Sequence, residues 1–221
     1  AASLSQVYKG TFAGRTVAVK VQRPGIAARV AADAALLRAA AKVLEATAGR
    51  GFKAQAVAAV DEFASRIFEE MDFANEAENI RKFDALYGRS GTNRRTLPAP
   101  GYVRVPGLIP SLPATRRVLV MEWLEGESVI SLVSPKAGEK EAFEAALAER
   151  EASGDDMDCV VSWDDEICSK RAASLPLIDL GIRCTLSQLI ETGVMHADPH
   201  GGNLLRLQST GELAYLDFGL V

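Results

Sequence analysis

The chain has 221 residues and a formal net charge of −4, so it can form one ordinary domain or two small lobes around a sizeable core. Its acidic balance argues against a general nucleic-acid binder, which would be expected to carry a basic surface. The three cysteines form no C-x-x-C pair, which argues against a zinc ribbon or a disulfide framework. No apolar run approaches the roughly 18 residues that a membrane-spanning helix needs.

Two β-strands are predicted near the start of the chain, over Gln6–Lys9 and Thr16–Gln22, with a turn at Ala13–Gly14. The second strand contains the sequence V-A-V-K, which ends at Lys20. A lysine in a strand is most often solvated, but in protein kinases the lysine of this pattern contacts the α- and β-phosphates of ATP. We therefore favour a phosphate-binding role for Lys20.

Two helical segments are predicted next, over Ala27–Thr47 and Lys53–Leu86, the second with a bend near Met71. Acidic residues in the second segment recur at spacings of three and four and are predicted to share one face: Glu69, Asp72 and Glu76. The commonest fate of such a run is a solvated face. Bulky apolar neighbours, and the need of a kinase for a helix Glu that pairs with the strand Lys, favour a functional role instead.

Tyr87–Ala114 is rich in Gly, Pro and Arg and is predicted to be a long loop. Arg116–Gly126 is predicted to be an apolar strand that runs into a charged turn, which suits the adenine-binding hinge between kinase lobes. Residues 134–171 are acidic and low in pattern, and we interpret them as a solvated insertion. A further helix is predicted over Leu175–Thr192. Its apolar face is expected to pack beneath the loop that follows: Leu177, Ile178, Ile182, Leu186, Leu189 and Ile190.

The loop has the sequence HADPHGGN, and its Pro and Gly residues exclude a helix interior. Asp198 and Asn203 stand five residues apart in it, and Asp217 opens a later D-F-G sequence. Between them, Leu204–Leu207 and Leu213–Leu216 predict a hairpin that would bring the two acids together. Protein kinases use this layout, in which one Asp accepts the substrate hydroxyl proton while the Asn and the D-F-G Asp hold Mg²⁺.

The same segment allows a second interpretation, in which His196, Asp198 and His200 form a transition-metal hydrolase site. Against it, the chain contains two histidines in total, and the V-A-V-K strand would then have no role. In the kinase interpretation, His196 is structural and braces the loop by hydrogen bonding.

Taken in order, these motifs resemble those of the UbiB-like atypical kinases, also called aarF-domain-containing kinases. The matching segments are an Ala-rich loop at Ala1–Tyr8, the Lys strand at Val17–Gly25, an E-x-D helix at Glu70–Asp72, the hinge at Val118–Gly126, the catalytic loop at His196–Asn203 and D-F-G at Asp217–Gly219. The resemblance implies an α+β, protein-kinase-like fold. A small N-terminal lobe of β-strands and long helices would span residues 1–125. A truncated, mainly helical C-terminal lobe with a catalytic-loop hairpin would span 126–221.

The resemblance also implies roles for individual residues in the chemistry. Lys20 is expected to contact the nucleotide phosphates and to pair with Glu76. Asp198 is expected to orient or deprotonate the phosphoryl acceptor. Asn203 and Asp217 are expected to hold the metal.

Further nucleotide contacts are implied for the Ala-rich loop and the hinge: Ala1, Ala2, Ser3, Val7, Met121, Glu122 and Leu124. Glu70 and Asp72 match a family element that replaces the usual peptide-substrate surface. The chain departs from the family pattern at Ser5, where the loop usually has Gly, and at Gly201, where the catalytic loop usually has Pro.

The implied function is an ATP-dependent atypical kinase or ATPase, with ATP or ADP and Mg²⁺ as cofactors, linked to isoprenoid-quinone or prenyl-lipid metabolism. The alternative is a nucleotide-binding pseudokinase that scaffolds a membrane-associated lipid-biosynthesis complex. Expected partners are the nucleotide, lipids or lipid-biosynthesis proteins and a membrane surface, but not nucleic acid. The composition favours a plastid member, with a mitochondrial or bacterial one as alternatives. Because the chain starts at Ala1 without Met, we interpret it as a piece of a longer protein.

Overall fold

The computed structural model describes residues 4–47, 55–93, 95–133 and 165–221, with side chains from residue 174 onward in the last range. Two predictions fall outside these residues. They are the nucleotide contacts at Ala1, Ala2 and Ser3, and the part of the acidic insertion over 134–164.

The chain divides into two compact units. Unit 1 contains the residues up to 84 together with 106–123 and 217–221, and unit 2 contains 85–105 and 124–216. The predicted division after residue 125 differs from these units at residues 124–125, which belong to unit 2, and in two longer segments. The D-F-G segment belongs to unit 1, and the loop over 85–105 belongs to unit 2.

Unit 1 is built on an antiparallel sheet of β1 (Ser5–Phe12), β2 (Arg15–Gln22) and β3 (Val118–Glu122), in that order. Both residues of the first turn have positive φ, 48° at Ala13 and 76° at Gly14, as a two-residue type I′ hairpin requires. The predicted strands are confirmed, although β1 is longer than expected. The register places Lys20 opposite Leu119 on one side and Val7 on the other.

Three helices follow β2: α1 (Ile26–Thr47), α2 (Ala56–Glu70) and α3 (Phe73–Tyr87), of which the last three residues belong to unit 2. The prediction of one bent helix over Lys53–Leu86 is therefore wrong, because the chain leaves the helical path at Met71 and Asp72. The Asp72 carboxylate accepts the backbone N–H of Ala74 at 3.0 Å, so it caps the start of α3. An aspartate that binds its own downstream backbone in this way starts a new helix rather than extending the previous one.

The core of unit 1 attaches the D-F-G segment to α3. The rings of Phe218 and Phe83, both fully buried, lie with their centroids 5.1 Å apart. The Asn79 amide donates to the backbone carbonyl of Phe218 at 2.9 Å. The D-F-G phenylalanine is thus held by both packing and a hydrogen bond, within unit 1.

Unit 2 contains a second antiparallel sheet of β4 (Gly126–Ser128), β5 (Leu204–Leu207) and β6 (Leu213–Tyr215). The predicted hairpin is confirmed, because β5 and β6 pair in register from Leu204 opposite Tyr215. The short helix α4 (Val129–Val133) follows β4, and α5 (Asp165–Ser187) continues into a π-helical turn at Gln188–Thr192. The start of α5 shows that the end of the predicted insertion is helical.

The expectation that α5 packs its apolar stripe beneath the following loop is confirmed only in part, because the stripe lines a groove with Pro199 of that loop but keeps much of its surface exposed. The residues of that stripe with the highest exposed fractions are Ile182 at 56%, Leu186 at 49%, Leu189 at 64% and Ile190 at 75%. The buried face carries Leu180 together with small and polar residues: Cys184, Ser187 and Gln188. The neighbouring loop is rich in backbone groups that need hydrogen-bond partners, which an apolar face cannot provide. Burial raises the pKa of the Cys184 thiol to about 11, despite hydrogen bonds from Gln188 and Tyr215 that favour the thiolate.

Among the helices described here, none combines the length and the apolar character needed to cross a bilayer.

Candidate active site

Lys20 lies at the centre of a buried charged cluster in unit 1. Its Nζ donates to both carboxylate oxygens of Glu76 at 2.8 Å and to Oδ1 of Asp217 at 2.8 Å. Lys20 and Glu76 are 7% and 1% exposed. The Phe73 ring lies 5.3 Å from Nζ, so one wall of the cluster is aromatic. The structure thus contains the Lys–Glu pair that the resemblance implies, and adds Asp217 to it.

The electrostatics of the cluster follow from its charges and its burial. Burial by itself lowers the pKa of Lys20, but the carboxylates of Glu76 and Asp217 outweigh it, so the Lys20 pKa is raised. For Glu76, burial raises the pKa, Lys20 opposes this, and Asp217 adds to it, with a net rise. One ammonium therefore faces two carboxylates, and the cluster has an excess of negative charge when all three are ionised. Such an excess favours a cation beside it.

The three acids predicted to share a helix face have separate environments, so that prediction is wrong. Glu69 is exposed at the end of α2 and lies 3.7 Å from Arg66. Asp72 caps α3 and binds Arg116 at 3.0 Å. Glu76 is buried against Lys20, because the break between α2 and α3 turns the first turn of α3 towards the sheet.

Glu70, the first acid of the predicted E-x-D element, lies beside the D-F-G segment. A Cβ placed on Gly219 would come within 3.1 Å of its Cγ. The two family elements therefore touch within unit 1, and a side chain at 219 would push against Glu70.

Asp217 has an unusual backbone conformation. Its φ is 55°, in the left-handed region that non-glycine residues seldom adopt. Its side chain is 49% exposed although Oδ1 binds Lys20. Strained backbone of this kind persists where the surrounding structure holds it, and such sites cluster at functional positions.

The predicted hinge residues occupy β3 and the residues that follow it. Met121 is buried and forms an isolated antiparallel bridge with Leu108. Glu122 binds Gly107 twice, since its N–H donates to the Gly107 carbonyl at 2.7 Å and its carboxylate accepts the Gly107 N–H at 3.1 Å. Val7 is 52% exposed on β1, and Leu124 is half-buried at the start of the next segment of unit 2.

The catalytic-loop residues belong to unit 2. Asp198 is exposed, and the Asn203 amide nitrogen donates to its backbone carbonyl at 3.1 Å and to its carboxylate at 3.3 Å. The backbone carbonyl of Asn203 in turn accepts the backbone N–H of Leu216 at 2.8 Å. Because the amide nitrogen of Asn203 serves Asp198, its amide oxygen is the atom suited to a metal. Amide and carboxylate oxygens are ligands that Mg²⁺ accepts, so the Asn203 amide in unit 2 and the Asp217 carboxylate in unit 1 each carry a suitable donor atom.

His196 braces the loop, as expected. It is 1% exposed, its Nδ1 accepts the N–H of Asp198 at 3.3 Å, and its Nε2 lies 3.0 Å from the Leu216 carbonyl. These contacts place the proton on Nε2. Both ring nitrogens are thereby used, which leaves His196 without a lone pair for zinc and disfavours the hydrolase interpretation.

His200 is exposed. Its Nδ1 accepts the N–H of Gly202 at 2.9 Å, and its Nε2 lies 3.6 Å from the Asp198 carboxylate. A protonated His200 could therefore form an ion pair with Asp198.

The structure explains the departure from the family pattern at Gly201. A Cβ at this position would lie 2.9 Å from the Cβ of Ile130, at the start of α4. The Ser128 hydroxyl donates to the Gly201 carbonyl at 2.6 Å, which holds the two segments together. In this chain, the close approach of α4 requires glycine.

We expect Gly201→Ala to lower the free energy of unfolding by about 1–3 kcal/mol, because the new methyl group overlaps Ile130. The matched control is Gly10→Ala on β1, whose Cβ would meet its nearest neighbour at an ordinary 3.8 Å. Urea denaturation measures both. Equal stability of Gly201→Ala and Gly10→Ala would show that the loop does not pack closely on α4.

Two residues of this network were missed by the sequence analysis. Asn79, which holds the Phe218 carbonyl, lies three positions after Glu76, and this helical spacing could have placed it on the same face. Gln188, which accepts the backbone N–H of His196 at 2.9 Å, is a polar residue inside an apolar helical stretch. Because it lies outside the catalytic-loop motif, no local pattern in the sequence indicated that it binds the loop.

Comparison with known proteins places the chain in a family. A model of the ABC1 atypical kinase-like domain matches residues 1–221. Among curated proteins, a Synechocystis protein described as uncharacterized is 38% identical over 222 residues, which are 100% of this chain and 26% of that protein. An Arabidopsis thaliana aarF domain-containing protein kinase, described as chloroplastic, is 37% identical, with coverage of 100% and 24%.

Two further similar proteins support the same family. The Arabidopsis thaliana protein ACTIVITY OF BC1 COMPLEX KINASE 3, chloroplastic, is 35% identical over 100% of this chain and 25% of its own length. Among solved structures, Mycobacterium tuberculosis Rv3197 in complex with erythromycin has a TM-score of 0.61 and 26% identity, and covers 99% of this chain and 43% of its own. The chain spans about a quarter of the length of these curated relatives. Its fold is kinase-like, and the chain belongs to the ABC1 atypical kinase-like domain family.

Proposed function

We propose that the chain binds Mg²⁺-ATP and transfers or hydrolyses the terminal phosphoryl group, with Asp198 as the residue that orients or deprotonates the acceptor. The observation that carries this proposal is the buried cluster in which Lys20 binds Glu76 and Asp217. A buried lysine between two carboxylates adds little to stability by itself, because the desolvation of the charges offsets much of their attraction. The cluster would have a function if Lys20 binds the phosphates and Asp217, beside it, binds the metal.

The residues of unit 1 would bind and hold the nucleotide. Lys20, kept in place by the two Glu76 oxygens, would donate to phosphate oxygens, and its raised pKa keeps it charged. Asp217 would change partner, from Lys20 towards the metal. The hinge segment over 121–124 and the Ala-rich loop with Val7 would contact the rest of the nucleotide.

The residues of unit 2 would act on the acceptor. Asp198 is exposed and fixed by Asn203 and by the His196 ring, so its carboxylate can orient a hydroxyl or a water molecule. Asn203 and Asp217 would hold the metal through oxygen atoms. Bound Mg²⁺ would supply neutralisation of the phosphate charge.

We expect Asp198→Asn to leave the Kd of Mg²⁺-ATP within about twofold of the original protein and to lower ATP turnover by about 100-fold or more, the range for a positioned acid–base group. Isothermal titration measures the first quantity and ADP release the second. Asp179→Asn, which removes a surface carboxylate paired with Arg183 on α5, is the matched control. Equal turnover in the two variants would remove Asp198 from the mechanism.

A second candidate function is a nucleotide-binding pseudokinase that scaffolds other proteins. It is favoured by Ser5, which replaces the usual Gly where the loop joins β1. This function predicts nucleotide binding with turnover at the background rate and no effect of Asp198→Asn. The same measurements therefore separate the two functions.

The metabolic context rests on relatives. Two Arabidopsis proteins that match the whole chain are described as chloroplastic. We propose a plastid location and a role in isoprenoid-quinone or prenyl-lipid metabolism, with a lipid or a lipid-biosynthesis protein as partner. Mass spectrometry of quinones and prenyl lipids in cells that carry Asp198→Asn tests this role, and an unchanged lipid profile would contradict it.

A further inference from the structure

Gln188 connects α5 to the catalytic loop of unit 2. It is fully buried at the first position of the π-helical turn, where the N–H of Gly193 donates to its backbone carbonyl at 2.9 Å. Its side-chain oxygen accepts the backbone N–H of His196 at 2.9 Å, and its side-chain nitrogen donates to the Cys184 sulfur at 3.2 Å. Both the oxygen and the nitrogen of the side-chain amide therefore have partners, and the oxygen binds the catalytic loop.

From His196 the connection continues to the residues of the proposed chemistry. Nδ1 of His196 accepts the N–H of Asp198, and Nε2 binds the carbonyl of Leu216, the residue before Asp217. The Leu216 N–H binds the carbonyl of Asn203, whose amide binds Asp198. A shift of the His196 backbone would therefore move Asp198 and Asn203 together.

We propose that Gln188 is a positioning residue, which sets the placement of the Asp198 carboxylate through the backbone of His196. The inference rests on the phosphoryl-transfer function proposed above. Three features support it. The N–H of His196 donates to the Gln188 side chain, the Gln188 amide nitrogen donates to the Cys184 sulfur, and a π-helical turn ends the helix where the amide meets the loop. Such turns are rare and often occur at functional sites.

The test compares three variants of the protein. Gln188→Met keeps the length and the approximate volume of the side chain but removes the acceptor for the His196 N–H. Gln188→Glu keeps an acceptor oxygen. Leu180→Ala, two turns earlier on the buried face of α5, lowers stability through a cavity without touching the hydrogen-bond chain, so it is the matched control.

Hydrogen exchange at the His196 amide is the first readout. In Gln188→Met, this amide should exchange about tenfold faster than in Leu180→Ala, with both proteins fully folded, because its hydrogen bond is lost. Gln188→Glu should restore the protection. Equal exchange in Gln188→Met and Leu180→Ala would overturn the inference.

Steady-state ATP turnover is the second readout. Gln188→Met should lower kcat by about 10- to 100-fold while KM for Mg²⁺-ATP changes less than about twofold, because Asp198 is misplaced and the nucleotide contacts of unit 1 are kept. A merely structural role predicts the same kcat as in Leu180→Ala, and that result would also overturn the inference. If the unsubstituted protein has no turnover, the proposed function is wrong, but this result does not test the positioning role of Gln188. Exchange at His196 and Asp198 then decides by itself whether Gln188 holds the loop.

Discussion

Replacing Asp217 with Asn should weaken the binding of Mg²⁺-ADP and Mg²⁺-ATP by about 100-fold or more. Outer-shell changes at metal sites already cost about 10- to 100-fold, and the loss of a charged ligand should cost at least as much. The fold should survive, because Lys20 keeps both of its hydrogen bonds to Glu76. Isothermal titration with and without Mg²⁺ measures the effect.

The design of this experiment separates the metal from the general charge of the protein. Asp61→Asn is the matched control, since Asp61 is a carboxylate of unit 1 that pairs with Arg38 at the surface. In EDTA, the original protein and Asp217→Asn should bind nucleotide equally weakly. Unchanged Mg²⁺-dependent affinity in Asp217→Asn would show that Asp217 does not hold the metal.

Replacing Lys20 with Met should lower the free energy of unfolding by about 3–5 kcal/mol at pH 8. This is the range for removing one partner of a buried ion pair, because Glu76 is left buried and unpaired beside Asp217. The double variant Lys20→Met with Glu76→Met should be more stable than the single one, since it leaves no buried unpaired charge at Glu76. Urea denaturation measures both, and Lys82→Met on the exposed side of α3 is the control.

The loss in Lys20→Met should depend on pH in a defined direction. Burial and Asp217 raise the pKa of Glu76, and Lys20 opposes them, so without Lys20 the pKa should rise further. A carboxyl group whose pKa is raised on folding contributes stability that is present below its unfolded pKa near 4.5 and lost as pH rises through the folded pKa. The difference between the original protein and Lys20→Met should therefore shrink from pH 8 to pH 5. A constant difference would show that Glu76 is not the group left unpaired.

Local patterns in the sequence predicted much of the secondary structure. The strands around Lys20 and the hairpin of β5 and β6 were recognised because alternation and turn residues are local signals. The break between α2 and α3 was placed at the correct residue but interpreted as a bend. The reason is that apolar periodicity continues through Met71, whereas the cap that ends the helix depends on a single side-chain contact of Asp72.

The face of α5 shows where periodicity fails. The stripe of Ile182, Leu186 and Ile190 predicts an apolar contact, and these residues are exposed in the described part of the chain. The catalytic loop instead meets Gln188, because the backbone N–H of His196 needs an acceptor and not apolar surface. A hydrophobic pattern identifies a helix but does not say which neighbour each face meets.

Short motifs in a defined order were enough to predict the family and to identify the residues that are candidates for chemistry. How these residues are joined depends on the fold. Lys20 meets Glu76 and Asp217, which are 56 and 197 residues away, and Gln188 reaches the catalytic loop from another element. Contacts of this kind arise from the packing of distant segments, and burial then sets the charge balance and the pKa values that spacing in the sequence does not contain.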